Sequence, residues 1–160
     1  MTMWSKLKKD SAANVGDEAP DFDLTGTTGP GLKLSDLRGK QRAVLFFYPK
    51  DCTSGCLAQL TEAGGVMDDF TALDTLPFGV NEAEAESHQE FLDQLDIPFD
   101  LLVDRNFAVS KAYGAKEDDK EYISRTVVIV GKNGKVIFRA TGAPPASELL
   151  KEIATARDAS

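Results

Sequence analysis

Residues 43–56 read AVLFFYPKDCTSGC, and this stretch sets the expected centre of the fold. The apolar run 43–48 has the length and composition of a buried strand, Pro49 ends it, and the turn at 53–55 suits a helix start. A thiol at Cys56 would then lie in the first helical turn, where unpaired N–H groups and the helix dipole favour its ionised form. Because the thiolate is the reactive form of cysteine, we expect chemistry at this junction.

Strand and helix patterns alternate on both sides of the junction. Strands are predicted at 77–80, 99–103, 126–130 and 135–139, and helices at 54–73, 82–95, 106–113 and from Ser147, which is expected to cap the last helix. The pair Asn133-Gly134 favours a hairpin between the last two strands. Gly64-Gly65 falls inside the first helix, where each glycine costs about 1 kcal/mol relative to alanine, so a break is expected there.

This order predicts an α/β protein with a central mixed sheet covered by helices on both faces, and it resembles the thioredoxin-like fold. Residues 15–160 are expected to form one such domain. Residues 1–14 show no sustained apolar period and are interpreted as a lead-in. A chain of 160 residues with 42% hydrophobic content supports a single core.

Charge and composition exclude several classes of function. A formal net charge of -8 and a pI near 4.7 argue against a nucleic-acid partner, which would require clustered Lys and Arg. No apolar run approaches the ~20 residues of a spanning helix, so a membrane role is not expected. The basic residues Lys6, Lys8 and Lys9 are not followed by the apolar block of a signal peptide. With only two cysteines, a reducing cytoplasm is the expected setting.

The metal-binding potential of the sequence is low. His88 is the single histidine, so a tetrahedral zinc site would have to recruit a carboxylate, and neither a metal nor another cofactor is expected. His88 lies in the polar segment 86–90 and is predicted to be solvated on a helix surface. That placement also counts against a Cys–His hydrolase, which would need the histidine as its base.

Residues 49–56 contain the pattern Pro-x-x-x-Thr-x-x-Cys, and here the chain resembles the peroxiredoxins. Further parts of the sequence carry the same resemblance, namely VGDEAPDF at 15–22, LSDLRGK at 34–40 and SRT at 124–126. The phrase FFYPKD at 46–51 is most similar to the Q-type subfamily, also called bacterioferritin-comigratory proteins. The resemblance implies a thiol peroxidase that reduces hydrogen peroxide and organic hydroperoxides, acts as a monomer and is regenerated by thioredoxin or a similar thiol donor.

The resemblance also assigns roles to four residues. Cys56 would attack the peroxide, and Arg125 would lower the pKa of its thiol together with the helix N-terminus. Thr53 would direct its hydroxyl at the peroxide while nearby N–H groups hold the other oxygen. Pro49 would shield the pocket from water.

The sequence departs from the family pattern at the position of the resolving cysteine, the residue that reacts with the Cys56 sulfenic acid. Many Q-type members carry a resolving cysteine five residues after the peroxidatic one, where this chain has Thr61. Cys52 is the internal candidate, because a helical spacing of four residues puts Cα atoms about 6 Å apart, within the range that a disulfide accepts. Alternatively, Cys52 is a spectator, and a small thiol or another protein resolves Cys56.

Two other functions remain open from the sequence. One is a thiol–disulfide exchanger, although that chemistry normally uses Cys-x-x-Cys and this chain has three residues between its cysteines. The other is a peroxide sensor that binds a partner when oxidised and does not turn over.

Overall fold

The computed structural model describes residues 13–27, 29–49, 54–83, 85–94 and 97–157. Most of the lead-in predicted at 1–14 lies outside these ranges. Ala13 is described and is buried in the core, so core packing extends to at least two residues before Val15. No helix in the described part of the chain is long and apolar enough to span a membrane.

Strands and helices alternate as the sequence predicts. The strands in the described ranges are β1 (Asp23–Leu24), β2 (Leu32–Lys33), β3 (Arg42–Phe47), β4 (Thr75–Asn81), β5 (Leu101–Val103), β6 (Thr126–Val130) and β7 (Val136–Thr141). The α-helices are α1 (Ser54–Gly65), α2 (Met67–Ala72), α3 (Ala85–Gln94), α4 (Ala108–Ala112) and α5 (Ala146–Ala154). Short 3-10 helices occupy Leu34–Leu37 and Arg105–Phe107.

The central sheet is mixed and has the strand order β5-β4-β3-β6-β7. The strands β3, β4 and β5 run parallel, whereas β6 is antiparallel to both β3 and β7. The turn between β6 and β7 contains Gly134 with a φ of 81°, the left-handed conformation that glycine adopts without strain. The predicted mixed sheet and its terminal hairpin are therefore confirmed.

Both faces of the sheet are covered, which explains the uninterrupted apolar run of β3. Ala43, Leu45 and Phe47 belong to one buried cluster, and the alternate residues Val44, Phe46 and Tyr48 to another. The first cluster, which we call the Phe47 cluster, packs against α4 and the β1–β2 hairpin. The second, the Tyr48 cluster, includes side chains of α1, α2 and α5: Leu60, Ala63, Phe70, Leu149 and Ile153. The predicted thioredoxin-like layering is confirmed.

The first helix breaks at its glycines, as expected. The helix α1 ends at Gly65, and α2 begins two residues later at Met67. A Cβ atom added at Gly65 would meet nothing within 4 Å. Packing therefore does not require glycine at position 65, and the break reflects the low helix propensity of the pair.

The cap expected at Ser147 is wrong. The last helix begins at Ala146, with Pro145 as its N-cap residue and no capping hydrogen bond from that side chain. Instead, the Ala146 N–H donates to Oε1 of Glu62 on α1 at 3.2 Å. The carboxylate of Glu62, on another helix, therefore satisfies the first N–H group of α5.

The helix predicted at 106–113 is shorter than expected. Asn106 and Phe107 both have a φ of 59°, so the α-helix starts only at Ala108. The buried carboxylate of Asp104 accepts hydrogen bonds from the N–H groups of Val109 and Ser110 and from the Ser110 hydroxyl, at 2.6 to 2.9 Å. Asp104 therefore binds the N–H groups at the start of α4, although the left-handed residues Asn106 and Phe107 lie between Asp104 and the helix.

Candidate active site

Three chain segments meet at one edge of the central sheet. The strands β3 and β4 are parallel and end there, while the antiparallel β6 begins there, with Phe47 opposite both Val80 and Thr126. The carboxyl ends of parallel strands are the usual place for ligand sites in open α/β sheets. The helix α1, whose third residue is Cys56, follows β3 along the chain.

Two of the predicted site residues lie at this edge. Pro49 is half-buried just beyond β3, and Arg125 is half-buried directly before β6. The main-chain oxygen of Arg125 accepts a hydrogen bond from Gly142 N–H at 2.8 Å, which holds this end of β6 against the end of β7. Cys52 and Thr53 lie outside the described residues, as does the side chain of Cys56.

The backbone of α1 puts position 56 on the face that is turned toward the sheet. Leu60 and Ala63, four and seven positions after Cys56, are fully buried in the Tyr48 cluster.

Gln59, one turn after Cys56, is only 5% exposed. Its two amide atoms are buried and make no hydrogen bond to the described residues, an arrangement that costs about 1–3 kcal/mol.

Tyr48, the residue before Pro49, is hydrogen-bonded at both its main-chain N–H and its main-chain carbonyl. The Tyr48 N–H donates to the Val80 carbonyl at 3.3 Å, and the Tyr48 carbonyl accepts from Nδ2 of Asn81 at 2.8 Å. Oδ1 of Asn81 in turn accepts from the Ala83 N–H at 2.8 Å. Asn81 was not among the site residues predicted from the sequence. A polar residue at the carboxyl end of a buried parallel strand was the available signal.

The prediction of a solvated His88 is wrong. The imidazole is fully buried, and its Nδ1 lies 3.5 Å from the hydroxyl oxygen of Tyr48. The sequence contained the reason, because Phe91 and Leu92 follow at i+3 and i+4 and place His88 on the apolar stripe of the helix. The polar neighbours Glu86, Gln89 and Glu90 are exposed.

Two groups with shifted pKa values belong to the opposite face of the sheet. Burial, and secondarily the charge of Asp21, raises the pKa of Tyr113, whose hydroxyl donates to the Pro20 carbonyl at 2.6 Å. Burial lowers the pKa of Arg139, whose guanidinium donates to main-chain carbonyls of Ala13, Tyr113 and Gly114. These bonds connect the N-terminal segment, the end of α4 and β7, so we assign them a structural role.

Known proteins share both the sequence pattern and the architecture. A model of the AhpC/TSA family matches residues 15–139. Peroxiredoxin Bcp of Bacillus subtilis is 36% identical over 129 residues, which are 77% of this chain and 82% of the relative.

Solved structures agree in fold. PrxQ of Xylella fastidiosa superposes with a TM-score of 0.80 at 24% identity, covering 89% of this chain and 96% of its own. The bacterioferritin comigratory protein of Xanthomonas campestris, whose alkyl peroxide reduction activity has been studied structurally, superposes with a TM-score of 0.78 at 22% identity, covering 91% and 98%. The match to the family model and the similarity to peroxiredoxin Bcp establish that the chain belongs to the AhpC/TSA family as a peroxiredoxin of the Q-type, or Bcp, branch, and is a thiol-dependent peroxidase.

Proposed function

We propose that Cys56 is the peroxidatic cysteine and that the site is assembled where β3 ends, β6 begins and α1 starts. One observation carries this proposal. Pro49 and Arg125 lie at the same edge of the sheet, where β3 ends and the chain continues toward Cys56. In the first step, the Cys56 thiolate attacks one peroxide oxygen and the O–O bond breaks. The leaving oxygen takes a proton and departs as water or an alcohol, and Cys56 becomes a sulfenic acid.

The other site residues act on the charge that moves in this step. We assign Arg125 to stabilise the thiolate and the developing negative charge, and Thr53 to orient the peroxide. Pro49 limits water access and has no N–H to compete for the peroxide oxygens. Each preorganised donor of this kind is typically worth about 3–4 kcal/mol of transition-state stabilisation.

For the second step, we propose that the Cys52 thiolate attacks the Cys56 sulfenic sulfur, which forms a disulfide and releases water. Thioredoxin or a similar dithiol then reduces the disulfide. Such a cycle requires a reducing compartment, and we propose that the protein works as a monomer in the cytoplasm. The alternative for this step is attack by an external thiol, with Cys52 uninvolved.

The assignment of Cys56 is tested by peroxide consumption with a thioredoxin system in the native chain, Cys56→Ser and Cys52→Ser. We expect the native chain to turn over and Cys56→Ser to be inactive. Activity of Cys56→Ser would refute the assignment. Full activity of Cys52→Ser under thioredoxin recycling would remove the resolving role of Cys52 and leave Cys56 in place.

Intact-mass analysis after one equivalent of peroxide tests the disulfide directly. A Cys52–Cys56 bond requires the loss of two hydrogens from the reduced mass. A gain of one oxygen in the native chain would show a persistent sulfenic acid and would contradict internal resolution. Peptide mapping of the oxidised chain identifies the bonded residues.

A further inference from the structure

We propose that Asn81 is a positioning residue for peroxide cleavage, because its side-chain amide sets where the chain leaves the sheet on its way to Cys56. The inference rests on the proposed role of Cys56 and adds a residue that lies on a neighbouring strand. Asn81 acts through Tyr48 and Pro49 and is not assigned contact with the peroxide.

The hydrogen bond from Asn81 takes over where the main-chain ladder between β3 and β4 stops. The last paired residues are Phe47 and Val80, and the Tyr48 N–H still reaches the Val80 carbonyl. The next acceptor, the Tyr48 carbonyl, belongs to the peptide bond with Pro49. Nδ2 of Asn81 donates to that carbonyl at 2.8 Å. The side chain therefore orients the peptide plane from which the Pro49 segment departs.

The amide of Asn81 has a defined orientation. Its Oδ1 accepts from the Ala83 N–H, so Nδ2 is the atom directed at Tyr48, and the residue is only 1% exposed. The main-chain carbonyl of Asn81 also accepts from the Asp104 N–H at 2.8 Å. Bonds to Tyr48, Ala83 and Asp104 hold Asn81 in place, and water does not compete for its Nδ2 donor.

The Tyr48 ring is closely packed, which limits how far Tyr48 can move. A Cβ added at Gly79 would lie 3.2 Å from the Tyr48 ring and 2.5 Å from a Leu101 methyl group, so the space beside the ring is filled. On another side, the hydroxyl oxygen of Tyr48 lies 3.5 Å from Nδ1 of His88. Because the ring is closely packed, the hydrogen bond from Asn81 to the Tyr48 carbonyl restricts the direction in which the chain continues into Pro49.

Peroxide cleavage is sensitive to this direction, because the thiolate must attack in line with the O–O bond. A misplacement of about 1 Å at a reacting centre costs on the order of 100-fold in rate. Alkylation of a thiolate by iodoacetamide has no such pocket requirement. Comparison of the two reactions therefore separates positioning from a change in thiolate population.

The test uses the full chain with Cys52→Ser, so that Cys56 is the single thiol. In this background we compare Asn81→Ala, Asn81→Asp and Asn133→Ala for oxidation by hydrogen peroxide and for alkylation by iodoacetamide at one pH. Asn133→Ala is a matched control, since it removes an asparagine bond to the Lys135 N–H at 3.0 Å in the β6–β7 turn, at the opposite sheet edge. Asn81→Asp keeps the acceptor for Ala83 and replaces the donor to Tyr48.

We expect Asn81→Ala to slow oxidation by about 10- to 100-fold while alkylation changes by less than about twofold. Asn81→Asp should lower the oxidation-to-alkylation ratio in the same direction, and it provides the test if the alanine variant is unfolded. Asn133→Ala should leave both rates unchanged. An unchanged ratio in the folded Asn81 variants would overturn the inference. Absence of Cys56 oxidation in the Cys52→Ser reference would instead refute the proposed function, and this inference with it.

Discussion

The hydroxyl oxygen of Tyr48 lies 3.5 Å from Nδ1 of His88, and both side chains are fully buried. Tyr48 directly follows the central strand β3, and His88 lies on a helix 40 positions later in the chain. Their contact joins α3 to the strand that leads into the proposed peroxidatic segment. A buried polar pair of this kind is favourable while both groups are satisfied and costly when one is removed.

Tyr48→Phe should lower the free energy of unfolding by about 1–2 kcal/mol, because it leaves Nδ1 of His88 without the hydroxyl. The ring and its packing are retained, so the change isolates the polar contact. Urea denaturation followed by circular dichroism measures it. Tyr122→Phe is the matched control, because Tyr122 is 52% exposed. Equal stability of the two variants would show that the contact contributes nothing.

Arg125→Gln should raise the pKa of the Cys56 thiol and reduce kcat/KM for peroxide by about 100- to 1,000-fold, because a cation beside the thiolate is lost. Thiolate absorbance in a Cys52→Ser background measures the pKa, and initial rates measure kcat/KM. Arg38→Gln makes the same change in net charge at an exposed ion pair with Glu18. That control should behave as the native chain does, since exposed pairs contribute little. If the pKa of the Cys56 thiol is unchanged in Arg125→Gln, Arg125 does not stabilise the thiolate.

Gly65→Ala should stabilise the chain by up to about 1 kcal/mol, because alanine favours the end of α1 and its Cβ meets no atom within 4 Å. If the Cys52–Cys56 bond requires α1 to unwind, the same variant forms it more slowly after oxidation. Chemical denaturation and time-resolved intact mass measure the two effects. Gly79→Ala is the contrasting change, since its Cβ would clash with Leu101 and destabilise the fold. Faster disulfide formation in Gly65→Ala would show that the bond does not depend on unwinding of α1.

Gln59→Met should raise the free energy of unfolding by about 1–2 kcal/mol, because it removes two buried amide atoms that have no described partner and keeps the side-chain volume. Thermal and urea unfolding report the gain. Substitution of Gln89, an exposed glutamine on α3, by Met is the control and should have little effect. A destabilised Gln59→Met chain would mean that the amide is paired in solution.

The native chain should lose stability at alkaline pH through Tyr113. Because burial raises the folded-state pKa of Tyr113, the unfolded chain releases this proton first as the pH rises above about 10. The free energy of unfolding then falls by up to ~1.4 kcal/mol per pH unit until the folded-state pKa is reached. Urea unfolding between about pH 8 and pH 11 measures this fall. Tyr113→Phe should be less stable at pH 8, because the bond to Pro20 is lost, but should show a shallower alkaline decline. An equally steep decline in that variant would refute the assignment.

The elements that sequence analysis predicted correctly are those with local physical signals. The apolar run 43–48 required burial on both faces, Gly64-Gly65 carried its own helix penalty, and Asn133-Gly134 selected a hairpin turn. The two errors had different causes. At the start of α5, where the sequence predicted a cap at Ser147, the first N–H group is bound by Glu62, which is distant in the chain. For His88, the apolar spacing of Phe91 and Leu92 was a local signal, and burial brings the imidazole next to Tyr48.

The sequence by itself determined the order of strands and helices, the family and the candidate nucleophile, because residue type and spacing carry that information along the chain. Only the tertiary structure decided which polar groups pair across elements. The amide of Asn81 meets the Tyr48 carbonyl because two parallel strands end side by side, 33 residues apart in the chain. Hydrogen bonds of this kind depend on positions in space, and no local pattern encodes them.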